Sequence, residues 1–333
     1  MNLTIENFWE INSEAAFEKA ALQLFYQQAQ HCRVYAEFLK HLGFDKQAIL
    51  GINEITQIPF LPVSFFKNQL VLDQRIKITD KAITFSSSGT TGMVQSKHIV
   101  PDASLYEKSF NTAFEKFYGN LKDACFLALL PSYLEREGSS LIYMAEALIH
   151  QSEQPASGFF LDDLKQLRSI LLYNKEKAIP TILLGVTYAL LDFIEVGSIS
   201  FPELIVMETG GMKGKRKEMI RPELHEILRS GFGVEKIHSE YGMTELLSQA
   251  YSKGDGLFTC PPWMKVLLRE PNDPFTIVKN NQAGGINIID LANVHSCAFI
   301  ATQDLGKLLP DGRFEVLGRF DQSDLRGCNL LVQ

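Results

Sequence analysis

The run Thr84-Phe85-Ser86-Ser87-Ser88-Gly89-Thr90-Thr91-Gly92 carries the densest set of phosphate-binding groups in the chain. An apolar, β-branched run (Ala82, Ile83, Thr84, Phe85) empties into small, hydroxylated residues, which reads as a strand leading into a tight loop. Glycine lets a ligand approach the backbone closely, and successive N–H groups in such a loop form an anion-binding nest. The hydroxyls of Ser87, Ser88, Thr90 and Thr91 add donors for phosphate oxygens. Taken alone, the stretch reads better as a flexible Ser/Gly loop, and the later segments reverse that reading. It is not a Walker A element, because no Gly-Lys-Ser/Thr closes it. Two further glycine-bearing segments follow β-type runs: Thr209-Gly210-Gly211 after Leu204–Glu208, and His238–Glu245 after Lys236-Ile237. In an open parallel sheet, loops at the C-terminal ends of strands converge on one ligand site. The second segment groups a flat aromatic, a hydroxyl and a carboxylate. Tyr241 is suited to stacking on a base, Thr244 to a phosphate, and Glu245 to Mg²⁺, a hard cation that prefers oxygen. The competing reading is a capped helix that starts at Thr244-Glu245. Thr302-Gln303-Asp304-Leu305-Gly306 and the stretch from Gly318-Arg319 to Asn329 complete the set. Singly, Asp304 reads as a turn residue and Arg319 as a surface charge.

The elements that must hold these groups are legible in outline. Residues 13–31 predict a helix capped by Asn12 or Ser13, which continues or restarts through Leu42 and ends at Gly43. Ile58-Pro59-Phe60-Leu61-Pro62 reads as extended or turn-like, and Val71-Leu72 and Ile76–Ile78 as short strands. Cys125–Leu130 and Thr181–Val186 are continuous apolar runs, the pattern of strands buried on both faces. Helices are predicted over Leu105–Phe117, Ser139–His150, Leu161–Leu172, Tyr188–Val196 and Pro222–Arg229. This alternation predicts an α/β layer with a mainly parallel sheet. After Tyr251 short β runs (Trp263–Leu268, Phe275–Val278, Gly285–Asp290, Cys297–Ala301, Arg313–Leu317) predict a smaller, mostly antiparallel module.

Composition narrows the function classes. The 333 residues suffice for one large or two modest domains. A net charge of −7 speaks against a general nucleic-acid binder. No apolar run approaches the roughly 20 residues that span a bilayer, and the N-terminal residues lack the pattern of a signal peptide. The five cysteines (Cys32, Cys125, Cys260, Cys297, Cys328) form neither a zinc-type pair nor a disulfide framework, so a cytoplasmic location is expected. Cys125 and Cys297 fall in strand runs and are expected in the core. Cys260, before Pro261-Pro262, is undecided.

In order and spacing, these motifs resemble the adenylate-forming enzymes: acyl-CoA synthetases, luciferases and peptide-synthetase adenylation domains. Ser86–Gly92 is similar to their phosphate loop, and Tyr241–Glu245 matches their Tyr-Gly-x-Thr-Glu motif at each defined position. Thr302-Gln303-Asp304 is similar to their Thr-Gly-Asp, with Gln for Gly. Gly318-Arg319 resembles the start of their hinge. Ile58–Pro62, Glu208-Thr209-Gly210-Gly211 and the ending Leu325–Val332 look most like the acyl-protein synthetase (LuxE) family, which is close to phenylacetate-CoA ligases. The resemblance runs from about the phosphate loop to the C-terminus.

That resemblance implies the site. Ser87, Ser88, Gly89, Thr90, Thr91 and Gly92 wrap the ATP phosphates. Gly210 and Gly211 line the adenine, and Tyr241 stacks on it. Thr244 and Glu245 address phosphate and Mg²⁺, Asp304 the ribose hydroxyls, and Arg319 the ribose or phosphate. It also implies an α/β fold of the adenylate-forming N-terminal domain type: residues 1–250 as the core, 251–318 as a β-rich subdomain completing it, and 319–333 as a hinge-like tail. The family's usual C-terminal domain of roughly a hundred residues, with its catalytic lysine, is not expected here, as in LuxE-type proteins. The implied activity is ATP-dependent activation of a carboxylic acid, a fatty acid first, as an acyl-adenylate. Transfer to a protein thiol follows, with Cys328 as the candidate acceptor, beside Arg319 and Arg326. As a small hydrophobe, Cys328 reads equally well as core. The implied partners are the acid and an acyl-accepting or reductase-like protein. The alternatives are ligation to coenzyme A or a carrier protein, and an adenylate-binding subunit without catalysis of its own.

Overall fold

The computed structural model describes residues 5–87, 94–131, 138–161, 163–210, 216, 219–278 and 281–320. The backbone divides into two units, Met1–Thr79 with Cys260–Gln333, and Asp80–Thr259.

The first unit opens with helix Glu14–His31 (α1), whose Ser13 cap accepts the Ala16 N–H at 3.3 Å. Phe17, Ala20, Ala21, Leu24, Phe25 and Gln28 recur at helical spacing and are buried. The backbone becomes extended at Cys32 and restarts as Arg33–His41 (α2), so the predicted helical stretch is two helices. Lys46–Gly51 (α3) follows, capped by Asp45. Leu61–Pro62 (β1) lies parallel to Ile300–Ala301, and Phe65–Asn68 forms α4. Val71-Leu72 and Ile76–Ile78 are not strands. The Asp73 carboxylate accepts the Arg75 N–H at 2.9 Å and pairs with its guanidinium at 2.6 Å, a local turn that competes with sheet pairing.

The second unit holds the parallel sheet. Ile83–Ser86 (β2) and Lys97–Val100 (β3) form an antiparallel ribbon, with Phe85 opposite His98 and Ser86 opposite Lys97. Ala103–Tyr118 (α5), Cys125–Leu129 (β4), Ser140–Gln151 (α6), Gly158–Phe160 (β5), Leu164–Glu176 (α7), Thr181–Val186 (β6) and Thr187–Glu195 (α8) follow. Ile205–Thr209 (β7), Arg221–Phe232 (α9), His238–Tyr241 (β8), Ala250–Ser252 (β9) and Leu257–Thr259 (β10) complete the unit. The strand order is β10-β9-β8-β7-β6-β4-β5. It is parallel from β8 to β5 and antiparallel at β9 and β10. Every residue of β4 and β6 is buried, and α6 and α8 pack on these strands. That burial is why both strands read as continuous apolar runs.

The chain then returns to the first unit as an antiparallel meander: Met264–Arg269 (β11), Ala283–Asp290 (β12), Phe299–Leu308 (β13) and Phe314–Arg319 (β14). Of the expected strand at Phe275–Val278, Phe275 lies in a turn, while Ile277 makes an isolated antiparallel bridge to Arg269 at the end of β11. Asp273 accepts the Phe275 N–H at 3.0 Å and the Thr276 hydroxyl at 2.6 Å. The core of this unit forms where Phe299 meets Phe25 at 5.9 Å and Tyr35 at 6.1 Å between ring centroids. Gln28 is buried with both ends of its amide bonded, to the Asn293 carbonyl and the Ala298 N–H, each at 2.8 Å.

Candidate functional site

In the second unit the site is built on the ribbon and on the ends of β7 and β8. Beyond the last register pair of the ribbon, the Ser87 N–H donates to the Ser96 carbonyl at 3.0 Å, and Ser87 Oγ accepts the Ser96 N–H at 2.9 Å. On the other edge of β2, the Ser86 N–H donates to the Gly138 carbonyl at 2.7 Å. These bonds fix the backbone where the Ser/Gly run begins. Ser88, Gly89, Thr90, Thr91, Gly92, Gly211 and Cys328 lie outside the described residues. His98 is buried, and its Nδ1 donates to the Thr244 carbonyl at 2.9 Å. Burial lowers its pKa to about 4, against the opposing effect of that bond, so the ring is neutral near pH 7.

β7 and β8 run parallel with Thr209 opposite Glu240, so Gly210 and Tyr241 follow at neighbouring strand ends. Gly210 has φ +67°, a left-handed conformation that suits glycine, and its carbonyl accepts the Thr187 hydroxyl at 3.0 Å. The half-buried Tyr241 meets the Phe258 ring at 5.9 Å, and the Arg221 guanidinium lies 5.1 Å from the same ring. Thr244 and Glu245 form a turn and do not open a helix; the Leu246 N–H donates to the Met243 carbonyl at 3.1 Å. Glu245 is buried in that turn.

Glu240 sits behind the turn. Its carboxyl accepts the Thr209 hydroxyl, which ties the Gly210 end of β7 to the Tyr241 end of β8. Burial pushes its pKa up to about 7; the Thr209 bond pulls it down and the neighbouring Glu208 raises it. A Cβ at Gly242 would lie 2.5 Å from Glu240 Oε1 and 3.2 Å from Gln249 Cγ. The motif glycine is therefore required by the packed carboxyl behind it. Gly242→Ala is expected to lower unfolding free energy by about 1–3 kcal/mol, read from urea melts against wild type.

In the first unit, Asp304 lies within β13 and not in a turn, paired in register with Arg319 on β14. Arg319 Nε donates to Asp304 Oδ1 at 3.2 Å, and the arginine side chain is 72% exposed. The Asp304 N–H donates to Thr302 Oγ1 at 3.1 Å, and Thr302 Oγ1 donates to the Ile286 carbonyl at 2.9 Å. Arg269 lies beneath this segment. Its guanidinium donates to the carbonyls of Ile286 and Thr302 and to Asn287 Oδ1, and it lies 5.4 Å from the Phe320 ring. Burial lowers its pKa, and Asp304 raises it.

His98 and Arg269 lie outside the motifs, and their sequence signal is a polar group beside apolar strand residues; Glu240 lies inside the His238–Glu245 segment without a role of its own in the motif. Tyr188 is core, with its hydroxyl donated to the Pro131 carbonyl at 3.1 Å. Cys125 and Cys297 are buried. Burial and Asp290 push the Cys260 thiol up to about 12, too high for a resting nucleophile.

Among the described residues no group of three or more His, Cys, Asp or Glu gathers into a metal cage. Thr244 and Glu245 offer oxygen donors with one carboxylate. That set fits Mg²⁺, which keeps several waters and binds through one or two carboxylates plus phosphate oxygens. No helix among the described residues is long and apolar enough to cross a membrane.

No protein-family model matches the chain, and no curated protein matches it in sequence. Solved structures match it in fold. 2-Hydroxyisobutyryl-CoA ligase, in complex with 2-HIB-AMP and CoA in the thioesterification state, superposes with a TM-score of 0.69 at 12% identity, over 95% of this chain and 71% of that one. The open conformation of that ligase with 2-HIB-AMP and CoA gives 0.67 at 11% identity, over 93% and 70%. ATP-bound MatB from Rhodopseudomonas palustris gives 0.54 at 16% identity, over 71% and 47%. At these identities the likeness is one of fold. The chain shares an α/β fold with 2-hydroxyisobutyryl-CoA ligase and MatB, and spans 70% of the ligase's length and 47% of MatB's.

Proposed function

We propose that this chain activates a carboxylic acid with Mg·ATP as an acyl-adenylate and passes the acyl group to a thiol. The observation that carries the reading is the Tyr241–Glu245 turn beside Gly210 at the ends of two parallel strands, with Thr244 bonded to the ribbon that leads into the Ser/Gly run. In this reading Ser87, Ser88, Gly89, Thr90, Thr91 and Gly92 cradle phosphates. Gly210 and Gly211 line the adenine and Tyr241 stacks on it. Thr244 donates to a phosphate oxygen, Glu245 holds Mg²⁺, Asp304 accepts the ribose hydroxyls, and Arg319 reaches ribose or phosphate. When Mg²⁺ is bound, Thr244 and Glu245 would hold it, and it would neutralise phosphate charge. One acid oxygen bonds to the α-phosphorus; the bond from that phosphorus to the bridging oxygen breaks, and pyrophosphate leaves with the electron pair. A thiolate then bonds to the acyl carbon and AMP leaves. The protein's share is positioning and charge stabilisation.

The acceptor proposed first is a protein thiol, with Cys328 as carrier and a fatty acid as the acid. Coenzyme A is the second reading, favoured by the CoA bound in the ligase structures that share the fold. The four described cysteines are free thiols, which suits the proposed cytoplasmic location. Intact mass after incubation with Mg·ATP and a panel of aliphatic and aryl acids separates the acceptors. A hydroxylamine-labile acyl mass on wild type, lost in Cys328→Ala, is the expected result. Pyrophosphate release with no mass gain would move the acceptor to coenzyme A or a carrier.

A further inference from the structure

We propose that His98 is a positioning residue, whose Nδ1–H bond holds the Thr244–Glu245 turn at a fixed distance from the β2–β3 ribbon. The inference rests on the adenylation reading and adds a residue that none of the motifs contains. Along β3, Lys97 faces out while His98 and Val100 face in. Val100 is the apolar residue such a position calls for. At 98 an imidazole occupies equally dry space, and burying it costs free energy that an apolar side chain would not.

The imidazole adds a directional bond to Thr244. A carbonyl only accepts, so the proton sits on Nδ1, and the bond to Thr244 fixes both tautomer and ring plane. The bond joins residues 146 positions apart. At one end His98 pairs with Phe85, two residues before Ser87. At the other end Thr244 precedes the buried Glu245. The bond thus links the strand pair that leads to Ser87 with the turn that carries Glu245. Displacing reacting groups by about 1 Å costs on the order of 10²-fold in rate.

The test is calorimetric titration of the full chain with Mg·ATP and, separately, with AMP. The variants are His98→Leu, which removes the donor, and His98→Asn, which places an amide N–H where Nδ1 lies. AMP lacks the β- and γ-phosphates, so a strut between ribbon and turn bears on Mg·ATP alone. His98→Leu is expected to weaken Mg·ATP by about tenfold, the loss of one well-aligned bond, with AMP changed less than about threefold. His98→Asn is expected to recover most of the Mg·ATP affinity. If His98→Leu does not fold, His98→Gln, whose donor lies one atom further out, takes its place with the same expectation. Equal losses for AMP and Mg·ATP, equal losses in the Leu and Asn variants, or no loss would each overturn the inference while leaving the adenylation reading intact. A wild-type chain that binds neither ligand would overturn both.

Discussion

Glu245→Gln is expected to cut the maximal rate of acid-dependent ATP–pyrophosphate exchange by about 10²–10³-fold, the usual cost of removing one preorganised charge-stabilising group. Glu245 is buried in the turn that follows Tyr241, so its carboxylate is held in place by the fold. Glutamine keeps the shape and removes the charge that a hard cation requires. The loss should therefore appear in kcat and in the Mg²⁺ concentration needed for half-maximal exchange, with the thermal midpoint little changed. Exchange within about threefold of wild type at all Mg²⁺ concentrations would remove Glu245 from the proposed site.

Glu240→Gln should change the pH dependence of stability. Thr209 and Glu208 face the Glu240 carboxyl from β7, Tyr118 from α5 and Tyr251 from β9, and burial raises the pKa of both tyrosines, with Glu240 adding to it. In the folded chain Glu240 keeps its proton up to about pH 7, whereas an ordinary glutamate releases it near 4.5. Between those values the folded state binds more protons than the unfolded state. Stability from this group is therefore fully present below pH 4.5 and is lost as pH rises through about 7. The gap corresponds to about 3 kcal/mol. His98 and His238, both lowered to about 4 by burial, run the other way, and stability rises with pH between about 4 and 6.5 on their account. Wild type alone thus mixes opposing slopes. The difference between wild type and Glu240→Gln isolates one. In urea melts the variant should gain on wild type by about 3 kcal/mol between pH 4.5 and 7.5. A constant difference over that range would show that Glu240 is ionised throughout.

The parts of the fold that could be read from sequence are those set by local pattern. β4 and β6 announce themselves as unbroken apolar runs because both faces are covered. Ser13 and Ser139 mark helix starts through side-chain bonds to Ala16 and Ile142. Local chemistry also competes with pattern: Asp73 folds its neighbours into a turn where the pattern suggests a strand, and Asp273 turns the chain at Phe275 so that only an isolated bridge at Ile277 is left of the suggested strand. β5 has three residues, too few to carry a period. At the site, Tyr241-Gly242-Met243-Thr244-Glu245 is recognisable as a motif, but the reason for Gly242 is the Glu240 carboxyl behind it. The Thr209–Glu240 and His98–Thr244 bonds join segments 31 and 146 residues apart. Only strand register and ribbon placement create such pairs, and residue spacing does not encode them.

Acid activation through an acyl-adenylate can be read from exchange of labelled pyrophosphate into ATP. The measurement uses wild-type chain, Mg²⁺ and a panel of aliphatic and aryl acids, each compared with an acid-free control. Label in ATP that depends on both Mg²⁺ and one class of acid is expected, because adenylation is reversible while pyrophosphate is present. Measurable Mg·ATP binding with no exchange for any acid would contradict it and leave a nucleotide-binding protein without adenylation chemistry of its own.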